Sequence, residues 1–131
     1  MIKNILIVED GFGERMILRD ALFSLGYKVV GEAKNIAESL EKYEKLRPDA
    51  VILDAVIPDV DGISAVMKLL RIDHEANILI CVTRGQRSLA MEAMSAGAKD
   101  FITKPINTHQ LQKALVSIGH PPRFTADLTP Y

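Results

Sequence analysis

The chain carries a single cysteine, Cys81, so no disulfide can form within it. Its three histidines, His74, His109 and His120, lie far apart, and no Cys/His pair has the spacing of a zinc site. Neither sign of charge is in excess, since 16 Lys and Arg against 17 Asp and Glu give a net charge of -1. That balance argues against bulk electrostatic binding of nucleic acid or of an anionic membrane surface. No apolar run approaches the length of a membrane span. The N-terminal apolar run meets Glu9 and Asp10 too early for a signal peptide. The expectation is a cytoplasmic protein that touches neither membrane nor nucleic acid directly. A glycine-rich phosphate loop is also missing, so any phosphoryl group must be held by other means. What is present is 131 residues, the length of one ordinary domain. Its 48% apolar and 25% charged residues are the balance of a globular domain that buries a core without staples.

Five short apolar runs read as strands, at residues 4–8, 28–32, 50–53, 78–82 and 100–103. The first (NILIV) has no polar alternation, which suits a parallel sheet covered on both faces. A helical period follows each run. Ile17, Leu18, Ala21, Leu22 and Leu25 form the first stripe, ended by Gly26. Ile36, Leu40, Tyr43 and Leu46 form the second, with Asn35 as cap and Pro48 as stop. Ile63, Val66, Met67 and Leu70 point inward in the third, capped by Asp61, with Asp59 in the loop before it. Leu89, Ala90, Ala93 and Met94 precede Gly97 in the fourth, and Thr108 is a candidate cap for the fifth, with Leu111, Ala114, Leu115 and Ile118 inward. Five βα units with right-handed crossovers predict an α/β fold, a doubly wound parallel sheet with helices on both faces. Residues 1–119 are expected to form this domain. Residues 120–131, with Pro121, Pro122 and Pro130 and no period, read as a tail or the start of a linker.

In such sheets ligands bind outside the carboxyl ends of the strands, at the switch point in strand order. Polar residues collect at those ends: Glu9 and Asp10 after the first strand, Asp54 after the third, Thr83 after the fourth, Lys104 after the fifth. Taken singly, an Asp after a strand is a turn former or a cap, and a Lys there is a solvated charge. Taken together, they favour one edge on four of five strands. Packed carboxylates repel unless a cation joins them. Hard oxygen donors with open positions suit Mg²⁺ better than zinc. A carboxylate can itself attack phosphorus to give an acyl phosphate, with Lys and hydroxyl groups binding the other oxygens. Cys81, inside a strand, reads as a small buried apolar residue.

The motifs ILIVED (5–10), LDAVIPDVDG (53–62), VT (82–83) and GAKDFITKP (97–105), in this order and spacing, resemble the receiver domain of two-component response regulators. The single-domain chemotaxis type is the most similar. The resemblance spans about residues 2–118 and implies the flavodoxin-like, CheY-like strand order 2-1-3-4-5. It implies that Asp54 accepts a phosphoryl group and that Mg²⁺ is held by Asp10 directly, by Glu9 through water, by Asp54 and by the Val56 carbonyl. It implies that Lys104 pairs with the acceptor and that Lys104-Pro105 is a cis peptide. Thr83 and Phe101 would be the switch pair, and the fourth helix, fifth strand and fifth helix the surface that changes. The implied partners are a sensor histidine kinase or phosphotransferase upstream. Downstream they are a target such as a motor switch protein or a relay partner. The implied state is a monomer or an activation-dependent dimer, and the implied role is a phosphoacceptor rather than a turnover enzyme.

Two departures from the family pattern stand beside the pocket. Arg84 occupies a position usually small, where it gates access or binds the donor, and Val56 is apolar where many members are polar. Both are expected to slow dephosphorylation. Other readings stay open: a pseudo-receiver that binds without phosphorylation, or the receiver portion of a larger regulator. Flavodoxin itself fits poorly, because Glu9 and Asp10 would repel a phosphate. A haloacid-dehalogenase phosphatase would need an Asp where Val56 stands.

Overall fold

The computed structural model describes residues 1–119; the expected tail, 120–131, lies outside the described residues. Strands β1 (Asn4–Val8), β2 (Lys28–Ala33), β3 (Ala50–Asp54), β6 (Ile78–Val82) and β7 (Asp100–Thr103) form one parallel sheet. Its order, β2-β1-β3-β6-β7, is the expected 2-1-3-4-5 order of the five principal strands. A short antiparallel hairpin, β4 (Val56–Ile57) with β5 (Val60–Asp61), follows β3 and was not expected from the sequence. Two-residue strands are too short to show a period.

The central strands β1, β3 and β6 are buried on both faces because their side chains alternate between two cores. Leu6, Val8, Leu53 and Ile80 point into one core, with helices α2 (Ile36–Leu46), α3 (Gly62–Ile72) and α4 (Arg87–Ala96). Ile5, Ile7, Ile52 and Leu79 point into the other, with α1 (Phe12–Ser24) and α5 (Thr108–Ile118). Strand order reverses between β1 and β3, and the crevice at that reversal is where the site lies.

Local chemistry explains most of the element ends. Asn35 Oδ1 accepts from the Glu38 N–H at 2.8 Å, and Glu38 Oε1 in turn accepts from the Lys34 N–H at 2.9 Å. Asp59, read as loop, also accepts from the Ile36 N–H at 3.1 Å, tying the β4–β5 hairpin to the start of α2. Asp61 caps α3 through the Ser64 N–H at 2.8 Å. Gly97 ends α4 at φ 123°, where glycine is favoured. The α5 cap is Asn107 rather than Thr108, because the Asn107 Oδ1 reaches the Gln110 N–H at 3.0 Å. Ile17, Leu46 and Met67 were expected inward and are exposed (55%, 42% and 48%). Leu18, Tyr43 and Val66, one to three positions away, take the buried slots, so these three sit on the margins of their stripes.

Candidate functional site

The site begins with strands too apolar to end anywhere but in the crevice. Val8, Leu53 and Val82 are fully buried, and the residues after them emerge together at the carboxyl edge of the sheet. Asp54 ends β3 at 8% exposure, and Glu9 follows β1 at 2%. Lys104 follows β7, its N–H bonded to the Val82 carbonyl at 2.8 Å and its peptide to Pro105 cis.

The Lys104 Nζ lies 2.5 Å from Asp54 Oδ2, 2.6 Å from Glu14 Oε2 and 3.1 Å from Glu9 Oε1. Its three N–H donors thus match three carboxylates. One oxygen from each of Glu9, Glu14 and Asp54 lies within 4.8 Å of the others. The remaining oxygens are held as well: Glu9 Oε2 accepts from the Gly11 N–H at 2.9 Å, and Asp54 Oδ1 from the Val56 N–H at 3.0 Å. Burial and the neighbouring Asp54 carboxylate push the Glu9 carboxyl up to about 8. Burial acts the same way on Asp54, but bonds from Glu9, Lys104 and the Val56 N–H outweigh it and leave that carboxyl lowered. Glu14 is lowered chiefly by its bond with Lys104. Of this pair, Glu9 is the carboxyl pushed toward its neutral form and Asp54 the one held ionised.

A buried arginine fixes the first loop. Arg15 donates to the carbonyls of Glu9 and Asp10 at 2.9 and 3.0 Å and to Glu32 Oε1 at 3.2 Å. Behind Asp54, the chain turns at Ala55, whose carbonyl accepts from the Gly62 N–H at 3.1 Å. A Cβ on Gly62 would lie 2.7 Å from that same oxygen, so only glycine permits the approach.

The structure brings Glu9, Asp54 and Lys104 into contact, as the sequence suggested. It leaves Asp10 exposed and outside the three-carboxylate group. Val56 presents its backbone N–H to Asp54 while its side chain is 57% exposed. Thr83 is exposed, its N–H bonded to Gln86 Oε1 at 2.9 Å. It shares a cavity of about 570 Å³ with Glu9, Glu14, Lys104, Ile17 and Ile106. Arg84 is exposed beside Thr83, and Phe101 is half-buried against the α2–α3–α4 core. Glu14 was missed. An acidic residue in a first helical turn reads as a partner for the helix dipole, and no local pattern shows that it reaches β7.

Residues 5–116 match the response regulator receiver domain family. The chain belongs to this family. This receiver is 44% identical to the chemotaxis protein CheY of Thermotoga maritima over 117 residues, 89% of the chain and 98% of that protein. It is 42% identical to CheY of Bacillus subtilis over 115 residues, covering 88% and 96%. In structure it resembles a chain of the CheX–CheY–BeF3–Mg²⁺ complex from Borrelia burgdorferi, with a TM-score of 0.85 at 26% identity, covering 91% and 90%. The receiver is thus of the CheY type, a signalling domain consistent with a two-component response regulator. Two members of its acidic group, Glu9 and Asp54, fit the family's Mg²⁺, with hard carboxylate oxygens close enough to share one ion, while Glu14 in the same group is bonded to Lys104. Among the described residues no helix is long and apolar enough to cross a membrane.

Proposed function

We propose that this receiver accepts a phosphoryl group on Asp54 from a sensor histidine kinase or phosphotransferase, in the cytoplasm and with Mg²⁺. The observation that carries the reading is the contact of the Lys104 ammonium with Asp54 inside a buried acidic cluster. Glu9, Asp10, Asp54 and the Val56 carbonyl would hold the metal. When bound, the ion neutralises the carboxylates and the developing charge on phosphorus. Asp54, kept ionised by its hydrogen bonds, is the nucleophile: the bond from phosphorus to the donor breaks as the bond to an Asp54 oxygen forms. Lys104 remains paired with the acceptor and then with the phosphoryl oxygens. Thr83 moves toward the new charge, and Phe101 follows. The surface of α4, β7 and α5 then changes its affinity for a motor switch protein or a relay partner. The receiver acts as a monomer or as an activation-dependent dimer, and it assists its own phosphorylation without being a turnover enzyme.

Val56 follows Asp54 by two residues and Arg84 follows Thr83, both exposed, and in this reading they slow the approach of hydrolytic water. An Arg84→Ala, Val56→Asn double variant is expected to shorten the acyl-phosphate half-life, and an unchanged half-life would contradict that role.

The test is intact mass after incubation with acetyl phosphate, with and without Mg²⁺, in wild type and Asp54→Ala. A magnesium-dependent gain of one phosphoryl group, lost in the variant, is expected. No gain under any condition would sink the reading in favour of a binding module that works without phosphorylation.

A further inference from the structure

Glu14 lies at the phosphoacceptor pocket and has no part in the chemistry above. Its carboxylate takes one of the three donors of Lys104, at 2.6 Å. The other two go inward, to Asp54 and Glu9, whose side chains are only 10% and 2% exposed. The Glu14 side chain is 51% exposed, so its donor faces the mouth of the pocket. A phosphoryl group arriving from solvent approaches Lys104 from that side. Its oxygens then compete with an anion already bound there. The carboxylate also adds one negative charge to the path of an anionic donor.

We propose that Glu14 is a latch on the phosphoacceptor site: in the resting state it fills the outward bond of Lys104 that a phosphoryl oxygen must use, and so slows phosphorylation of Asp54. This rests on Asp54 being the acceptor. In the step concerned, the bond from phosphorus to acetate breaks, the bond from phosphorus to an Asp54 oxygen forms, and acetate leaves. Glu14 gives up its bond to Lys104 as the phosphoryl oxygen takes it. No redox partner is involved. Glu14 is a positioning residue, because it acts through Lys104 and forms no bond to phosphorus.

Two variants separate the contact from the charge. Glu14→Gln keeps the length and removes the charge. Glu14→Asp keeps the charge but is one methylene too short to hold the same bond from its place in the first turn of α1. The experiment measures the phosphorylation rate of the full chain with acetyl phosphate at saturating Mg²⁺. Mg²⁺ affinity by calorimetry and unfolding midpoints are measured alongside. Both variants are expected to be phosphorylated about three- to tenfold faster than wild type, the size set by releasing a half-exposed charge-assisted bond. Mg²⁺ affinity should stay within about twofold, because the latch holds Lys104 rather than the ion. Acceleration in Glu14→Gln alone would overturn the latch and leave simple charge repulsion. Slower phosphorylation with weakened Mg²⁺ binding would overturn it in favour of Glu14 as a metal ligand. Unchanged rates, with Asp54 phosphorylated in all three proteins, would overturn the latch but spare the acceptor. No phosphorylation in any of the three would strike the acceptor itself.

Discussion

Replacing Glu9 by Gln removes the carboxyl of this cluster that burial pushes toward its neutral form. The native Glu9 carboxyl is pushed up to about 8 from an ordinary 4.5, first by burial and then by the Asp54 carboxylate. The unfolded chain releases this proton near 4.5 and the folded chain does not. The unfolded state therefore binds fewer protons across the interval, and stability falls as pH rises. The loss begins near 4.5 and is complete above 8. Asp54 and Glu14 are shifted the other way, so their contributions are intact at neutral pH and fade only below their ordinary values. Lys104 is raised, and its contribution fades only in strongly alkaline solution. Among the shifted groups of this cluster, Glu9 alone acts between pH 5 and pH 7. One proton of difference corresponds to about 1.4 kcal/mol per pH unit, so wild type should lose a few kcal/mol over that range. Urea unfolding in EDTA, followed by far-ultraviolet circular dichroism at several pH values, reads this slope. Glu9→Gln should flatten it. Parallel slopes for the two proteins would refute the assignment of the proton to Glu9.

Mg²⁺ binding at pH 7 should drive off about one proton, since an ion beside Glu9 favours its ionised form; titration calorimetry in buffers of different ionisation enthalpy would expose a release near zero. Gly62→Ala should destabilise by about 1–3 kcal/mol, because its Cβ meets the Ala55 backbone, whereas Gly13→Ala, with nothing within 4 Å, should be neutral or stabilising in the same unfolding assay. The Cys81 thiol is buried and pushed up by burial, so it should resist a disulfide reagent such as DTNB until urea unfolds the chain. Fast labelling of the native protein would contradict that.

Much of this fold is written in local pattern, because the central strands that build it are almost wholly apolar. Residues 5–8, 50–53 and 78–82 are apolar and buried throughout, so a sheet covered by helices is the available solution. Ile17, Leu46 and Met67 misled for the converse reason. A period says which residues share a stripe, and the margin of the stripe is set by neighbours that the period does not contain. Thr108 and Asn107 are both competent caps, and only the backbone decides which side chain reaches the third N–H.

The site divides along the same line. Glu9, Asp54 and Lys104 were legible because each directly follows a buried strand, and strand ends in a parallel sheet share an edge. Glu14 lies in a helix, and its bond to Lys104 joins positions separated by 90 residues. Its meaning depends on the tilt of α1 across that edge, which no spacing encodes. Asp10 shows the reverse: adjacent in sequence to the most buried carboxylate, it lies exposed in the bend after the strand, with its carbonyl held by Arg15. Two successive acidic residues after a strand thus receive different environments. The inner one is packed among Asp54, Lys104 and backbone, where its proton is held. The outer one is exposed to solvent. A reading that gives both carboxylates one role overlooks that asymmetry, and proton release on Mg²⁺ binding is the quantity that measures it.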